Sequence, residues 1–288
     1  MIINARYIAF WGCTIPALQP YVEKAARLVF GELGITLAEP EGMTCCPDPD
    51  ITHMASHEYW LVTAARNLAL AERRGLDLMT PCNGCFFTFT EAISELKRNG
   101  KKANAVLSEN FNMTFKGKVR VYHALEVLYD VVGPENIKAK FTRSLNGLRV
   151  TIHPGCKLLK YEEKRLDVKL YELTKLTGST ILTYGLERLC CGVPLMYLDA
   201  DKAIELRTKP KLDRMKEVNP DAIVVICPAC HNQLEKGQLM ISEDEEYDIP
   251  VISLLELLAL CMGFSPDDIG MYLHRIPTDD ALEKLGLI

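Results

Sequence analysis

The apolar runs LRVTIHPGC (148–156) and AIVVICPAC (222–230) are rich in β-branched residues, and both stop at cysteines; ARYIAFWGC (5–13) and LDLMTPCNGC (76–85) do the same earlier in the chain. Such runs read as buried strands, and the helical periodicity that follows each one makes strand–turn–helix units. Repeated units of this kind predict an α/β protein of two tandem, pseudo-symmetric, Rossmann-like halves with parallel sheets, divided as residues 1–146 and 147–288. In parallel sheets ligands gather at the carboxyl ends of strands, where Cys13, Cys82, Cys156 and Cys227 fall. Long helices are expected at Tyr21–Gly31, His53–Arg74, Leu158–Leu176 and Tyr197–Lys216, with extra material at Gly100–Gly117 in the first half.

Ten of the eleven cysteines form one pattern written twice: Cys13, Cys45, Cys46, Cys82, Cys85, and Cys156, Cys190, Cys191, Cys227, Cys230. Cys82 stands 36 positions after Cys46, and Cys227 stands 36 after Cys191. The adjacent pairs sit in loops before Pro47 or Gly192. No basic n-region or cleavage site marks the N-terminus, so the chain reads as cytoplasmic, and its thiols as metal ligands or reactive groups rather than a disulfide framework. Four thiolates saturate zinc, whereas an iron–sulfur cluster has use for a fifth; zinc stays open as the alternative. The ferredoxin spacings are absent, as is a G-x-G-x-x-G nucleotide loop. The net charge of −5 gives no ground for a nucleic-acid partner, and the apolar run Ile249–Phe264, interrupted by Glu256, is too short to span a bilayer.

This doubled pattern resembles the tandem cysteine-rich, or CCG, domain of the family that includes the B subunits of heterodisulfide reductases, over essentially the whole chain. Pro47 departs from that motif where the second copy has Gly192, while all five cysteines remain in each copy. The resemblance implies two noncubane [4Fe–4S] clusters, one on each set of five cysteines, and reduction of the coenzyme M–coenzyme B heterodisulfide. It also implies a ferredoxin-like C subunit, a flavin-containing A subunit, and a hydrogenase or formate dehydrogenase upstream. An electron-transfer protein without a disulfide site, as in lactate, glycolate or thiol:fumarate oxidoreductases, is the alternative.

Disulfide reduction needs protons and, for this substrate, cations. His153 and His231, close to Cys156 and Cys230, are the candidate proton donors, with core histidines bonded to backbone as the plain alternative. Lys157, at a helix start beside Cys156, is the first candidate for gripping an anion, with Arg207, Lys209 and Lys211 behind it. His53 and His57 read as neighbours on one exposed helix face, and Cys261 as a small buried hydrophobe on a leucine stripe. The acidic run Ser242–Glu246 reads as a solvated loop.

Overall fold

The computed structural model describes residues 5–241 and 247–288, so the acidic run at 242–246 lies outside the described residues. Two four-stranded parallel sheets carry the fold. The first has β1 (Ala5–Ala9), β2 (Ile35–Ala38), β3 (Leu78–Thr80) and β4 (Val121–His123) in the order β2-β1-β3-β4. The second repeats it with β5 (Arg149–Ile152), β6 (Thr180–Leu182), β7 (Ala222–Val225) and β8 (Val251–Ser253), in the order β6-β5-β7-β8. Strands β3 and β7 are buried along their length, and β1 and β5 over their carboxyl-terminal three residues, as in parallel sheets covered on both faces. After β1 the chain winds to one side, after β3 to the other. The gap between the ends of β1 and β3, and between β5 and β7, is therefore the switch point at which such sheets place ligands.

The halves share one core. Helix Pro20–Glu32, which follows β1, packs against Leu254–Cys261, which follows β8 of the other half. Its counterpart Leu166–Leu176 packs in the same way against the turn at Ala124–Glu126 that follows β4. This reciprocal exchange buries Val29, Phe30, Leu170, Leu254 and Leu258 in a single cluster, so neither half completes its core alone. The run Ile249–Phe264 belongs to this interior: Leu254 to Cys261 are all buried, Cys261 fully. Insertion 100–117 folds as a helix at Lys101–Phe111. No described helix is long and apolar enough to cross a membrane.

Three of the expected long helices are broken, each for a local reason. Helix 53–74 divides at Ser56, whose extended backbone and Oγ, accepting from Tyr59 N, start a new helix at His57–Arg74. The segment 158–165 forms two 3₁₀ turns and ends with Arg165 at φ 49°, before Leu166–Leu176 begins. Cross-half contacts pull it flat: Tyr161 Oη donates to Glu91 at 3.0 Å, and Lys164 Nζ lies 2.5 Å from Glu126. The stretch 197–216 breaks at Asp199, and a π-helical turn at Ile204–Thr208 precedes Lys209–Glu217. Pro210 has no N–H to give, so the backbone pairing of the preceding turn shifts by one residue.

Polar bonds fix how the halves meet. Asn83 Nδ2 donates to Pro154 O at 2.9 Å, and Gln19 Nε2 donates to Pro228 O at 3.0 Å in the opposite direction. Asn83 Oδ1 lies 3.1 Å from His123 Nε2, while His123 Nδ1 accepts from Leu125 N at 3.2 Å. With one nitrogen accepting and the other donating, His123 is neutral, and burial pushes its pKa down to about 3.

This junction can be tested at a glycine and at a histidine. Gly155 sits at φ +85°, and a Cβ there would lie 2.6 Å from Asn83 Nδ2, whereas Gly147, at φ +96°, has open space around it. Gly155→Ala should therefore cost more stability than Gly147→Ala, which loses only the backbone term of about 1 kcal/mol. Thermal unfolding of the two variants decides this; equal losses would show that Asn83 gives way freely. Because folding depresses the pKa of His123, its contribution is fully present above about pH 6.5 and is lost as pH falls toward about 3. His123→Asn, which keeps the acceptor for Leu125 N, should flatten the acid limb of urea midpoints between those limits, and an unchanged limb would rule this histidine out as its source.

Candidate metal centre and cavity

Each set of five cysteines converges from three places. Cys13 follows β1, Cys82 and Cys85 follow β3, and the loop carrying Cys45 and Cys46 closes over them; β5, β7 and the loop at Cys190 and Cys191 repeat this. The glycine before each first cysteine makes the approach possible. Gly12 (φ +73°) and Gly155 (φ +85°) take left-handed turns, and a Cβ would lie 3.0 Å from Cys85 Sγ or 3.3 Å from Cys230 Sγ. The pair loops are tied from behind: Thr88 Oγ1 donates to Pro47 O at 3.0 Å, and Thr208 Oγ1 to Cys191 O at 2.9 Å. Pro47 thus keeps its loop in place through its carbonyl, where Gly192 (φ +112°) packs tightly against Thr208 and Ala203.

Within each set the thiols form a string, Cys13–Cys45–Cys46–Cys85–Cys82 and Cys156–Cys190–Cys191–Cys230–Cys227. The strings meet, because Cys82 and Cys227 interact with each other. Cys156 Sγ and Cys190 Sγ are 3.8 Å apart. Neighbouring S–H groups favour the thiolate form of certain sulfurs. Cys45 and Cys85 bring Cys46 down to about 6, Cys156 and Cys191 bring Cys190 down to about 2, and Cys230 and Cys82 lower Cys227. The donor set in each half, five sulfurs on a preformed and largely buried cradle, fits a multi-iron cluster; for one zinc ion it is one thiolate too many. Cys13 and Cys45 are exposed, while Cys156 and Cys190 are half-buried.

Against the second set lies a cavity of about 60 Å³. Cys156, Cys190, Cys191, Cys227 and Cys230 form one wall, and Asp48, Asp50, Asn83 and Gly84 of the first half form the other. Lys157 lines it, its ammonium 2.7 Å from Asp50 and over the Phe87 ring at 4.8 Å. Burial disfavours that charge, but Asp50 more than offsets it and the lysine pKa rises. Lys160, exposed, lies over the same ring at 4.5 Å.

The other sequence candidates scatter. His153 is buried against Cys191 and Cys230, with no hydrogen-bond partner for either ring nitrogen among the described residues, and burial pushes its pKa down to about 3. His231 instead pairs with Tyr21, Glu235 and His274 and does not line the cavity. Arg207 is exposed, and Lys209 pairs with Asp213 and Tyr247; both lie outside the cavity wall. His53 and His57 stand 5.1 Å apart, and His57 pairs with Glu95 near the surface. Lys211, a secondary choice by sequence, is fully buried. It donates to Tyr184 Oη at 3.2 Å and to the Leu186 carbonyl, and burial pushes its pKa down to about 8 against the pull of Cys230 and Cys191. Asn83 and Asp50 give no signal in the sequence because their roles depend on contacts across the two halves.

Known proteins match this arrangement. The family model for the cysteine-rich CCG domain matches residues 7–90 and 150–235. The B subunit of the ferredoxin/F420H2-dependent CoB–CoM heterodisulfide reductase of Methanosarcina acetivorans is 34% identical over 98% of this chain and 97% of its own. The B subunit of the ferredoxin:CoB–CoM heterodisulfide reductase of Methanosarcina mazei is 35% identical over 96% of this chain and 95% of its own. The 8-methylmenaquinol:fumarate reductase membrane anchor subunit of Wolinella succinogenes is 29% identical over 93% and 96%. A crystal structure of a hypothetical protein from Helicobacter pylori shares the fold, with a TM-score of 0.73 at 13% identity over 95% of this chain and 52% of that one. With the cysteine motif present twice and the relatives aligned end to end, the chain belongs to the CCG cysteine-rich domain family, alongside the B subunits of heterodisulfide reductases.

Proposed function

We propose that this iron–sulfur oxidoreductase component reduces the coenzyme M–coenzyme B heterodisulfide. Cys13, Cys45, Cys46, Cys82 and Cys85 would hold one noncubane [4Fe–4S] cluster, and Cys156, Cys190, Cys191, Cys227 and Cys230 the other. One observation carries the reading: a cavity lies against the second sulfur string, walled by its five cysteines on one side and by Asp48, Asp50, Asn83 and Gly84 of the first half on the other. When bound, the clusters supply single electrons; the overall reaction takes up two electrons and two protons and returns two thiols. The chain's own part is to place the disulfide, keep water out and deliver protons. Lys157 and Lys160, aligned over Phe87, offer cations for the acidic groups of the substrate, with Asp50 releasing Lys157 when an anion competes.

Lys211 is a better proton source than His153. Burial keeps His153 neutral at pH 7, and a neutral imidazole is a weak acid. Its N–H is suited to donating a hydrogen bond to sulfur. Lys211 holds an ammonium near pKa 8 beside the same cysteines, the range in which proton transfer works best at neutral pH.

The same reading makes the chain one component of a larger assembly. The ferredoxin-like C subunit, the flavin-containing A subunit and an upstream hydrogenase or formate dehydrogenase are the proposed partners. Electrons would enter at the exposed Cys13 and Cys45, close to the exposed ring of Tyr197. The Wolinella relative, whose name ends in fumarate reductase membrane anchor subunit, favours a second reading of electron transfer with no disulfide chemistry in this chain.

Iron-loaded protein, given reduced viologen dye and the heterodisulfide under anaerobic conditions, should release both thiols. Cys82→Ser and Cys227→Ser should abolish this and lower iron content, whereas dye oxidation that never yields thiol would favour the electron-transfer reading. Lys211→Met should cut the rate by about 10²-fold. Since the protonated form is needed, the wild-type rate should fall as pH rises through about 8, and that limb should vanish in Lys211→Met. A limb unchanged in the variant assigns the proton to another group.

A further inference from the structure

Away from the cavity, on the far side of helix Pro228–Ile241, lies a second cluster of ligating groups. His231 and Glu235 project from that helix, and His274 comes from the C-terminal segment. The three side chains are about 1% exposed. One donor atom from each falls within 4.8 Å of the others.

The spacings separate a hydrogen-bonded network from a metal cradle. His274 Nε2 lies 2.7 Å from Glu256 Oε1, a charge-assisted hydrogen bond of normal length. The other contacts are longer: Glu235 Oε1 is 3.5 Å from His231 Nε2 and 3.4 Å from His274 Nδ1. His274 Nδ1 has no hydrogen-bond partner among the described residues although it is aimed into the cluster. Buried imidazole–carboxylate pairs do not stay at such lengths without cost. They do match the edge of a tetrahedron around an ion bonded at 2.0–2.1 Å, about 3.3–3.4 Å.

We propose that His231 Nε2, Glu235 Oε1 and His274 Nδ1 hold a divalent cation of the zinc class. Glu256 grips the outer nitrogen of His274, as carboxylates do behind metal-bound histidines, and thereby fixes the tautomer that leaves Nδ1 free to ligate. Tyr21 Oη of the first half, 3.3 Å from His231 Nε2, stands at the fourth position. With no open route for a substrate, the site is structural. It pins the C-terminal segment to the second half and both to helix Pro20–Glu32. Arg275 bounds it on the remaining side, its backbone N–H donating to Glu235 Oε1 at 3.3 Å and its guanidinium 3.9 Å from Oε2. The competing arrangement is a metal-free ion cluster in which His274 is an imidazolium between Glu235 and Glu256. Burial opposes that charge, and the two carboxylates more than offset it, raising the pKa of His274 to about 9. The 3.4 Å separation at Nδ1 weighs against this arrangement, because an imidazolium would close on Glu235 to normal hydrogen-bond length.

The site is independent of the reading given to the cysteines, and its test is too. Elemental analysis of anaerobically purified protein should find one zinc per chain in addition to iron. Its X-ray absorption edge should give a shell of nitrogen and oxygen near 2.0 Å with no sulfur at about 2.3 Å. Glu235→Gln and His274→Ala should lose the zinc while keeping wild-type iron content. Absence of zinc-class metal from the wild type, a zinc shell containing sulfur, or zinc retained by both variants would overturn the proposal; the absorption measurement on wild type needs no variant to fold.

Discussion

The approach of Cys82 to Cys227, close enough for each to shift the other's pKa, is the constraint on which the rest of the structure depends. Each ends a string of five sulfurs, and each follows the central strand of its own sheet. For these two to come near each other, the two sheets must bring their switch points together. The reciprocal helix packing achieves this, and it explains why the core is common to both halves. Buried thiolates repel one another and lose solvation, so ten sulfurs in one chain of contacts are costly without a cation to neutralise them. The fold supplies what holds them there: left-handed glycines at 12 and 155, threonines 88 and 208 behind the pair loops, and the Asn83 and Gln19 bonds across the junction.

Much of this was legible in the sequence because the signals were local. Apolar runs ending at cysteines specify strands and the rim they face, and the two copies of the motif specify the repeat. What escaped was set by contacts between distant segments. Nothing local in residues 158–165 foretells that Tyr161 and Lys164 will reach across to Glu91 and Glu126 and flatten a helix into 3₁₀ turns. The leucine-rich run after β8 reads equally well as core or as docking surface until its neighbour, Pro20–Glu32, is in place. Ser56 and Asp199 were readable as helix caps, yet the apolar periodicity runs through both, and the periodicity dominated the expectation. Among the basic residues, position along the chain proved a poor guide: Lys157 faces the cavity, while Arg207 and Lys209 do not.

The repeat is least exact where the chemistry is most demanding. Three residues before the first cysteine the first half has Phe10, packed edge-on against Phe89 at 4.7 Å, and the second has His153. At the position 145 residues before Lys211 stands Arg66, which is turned outward to the Gly42 carbonyl. His153 and the buried ammonium of Lys211 therefore flank the second set of cysteines, and their counterparts Phe10 and Arg66 offer neither to the first. Negative charge arriving there meets protein groups that can stabilise it, whereas at the first set Cys13 and Cys45 are open to solvent. Two identical sets of cysteines thus differ in their surroundings. Under the proposed function, the exposed set would be the one to receive electrons from outside, and the enclosed set, with the cavity against it, the one to pass them to the disulfide.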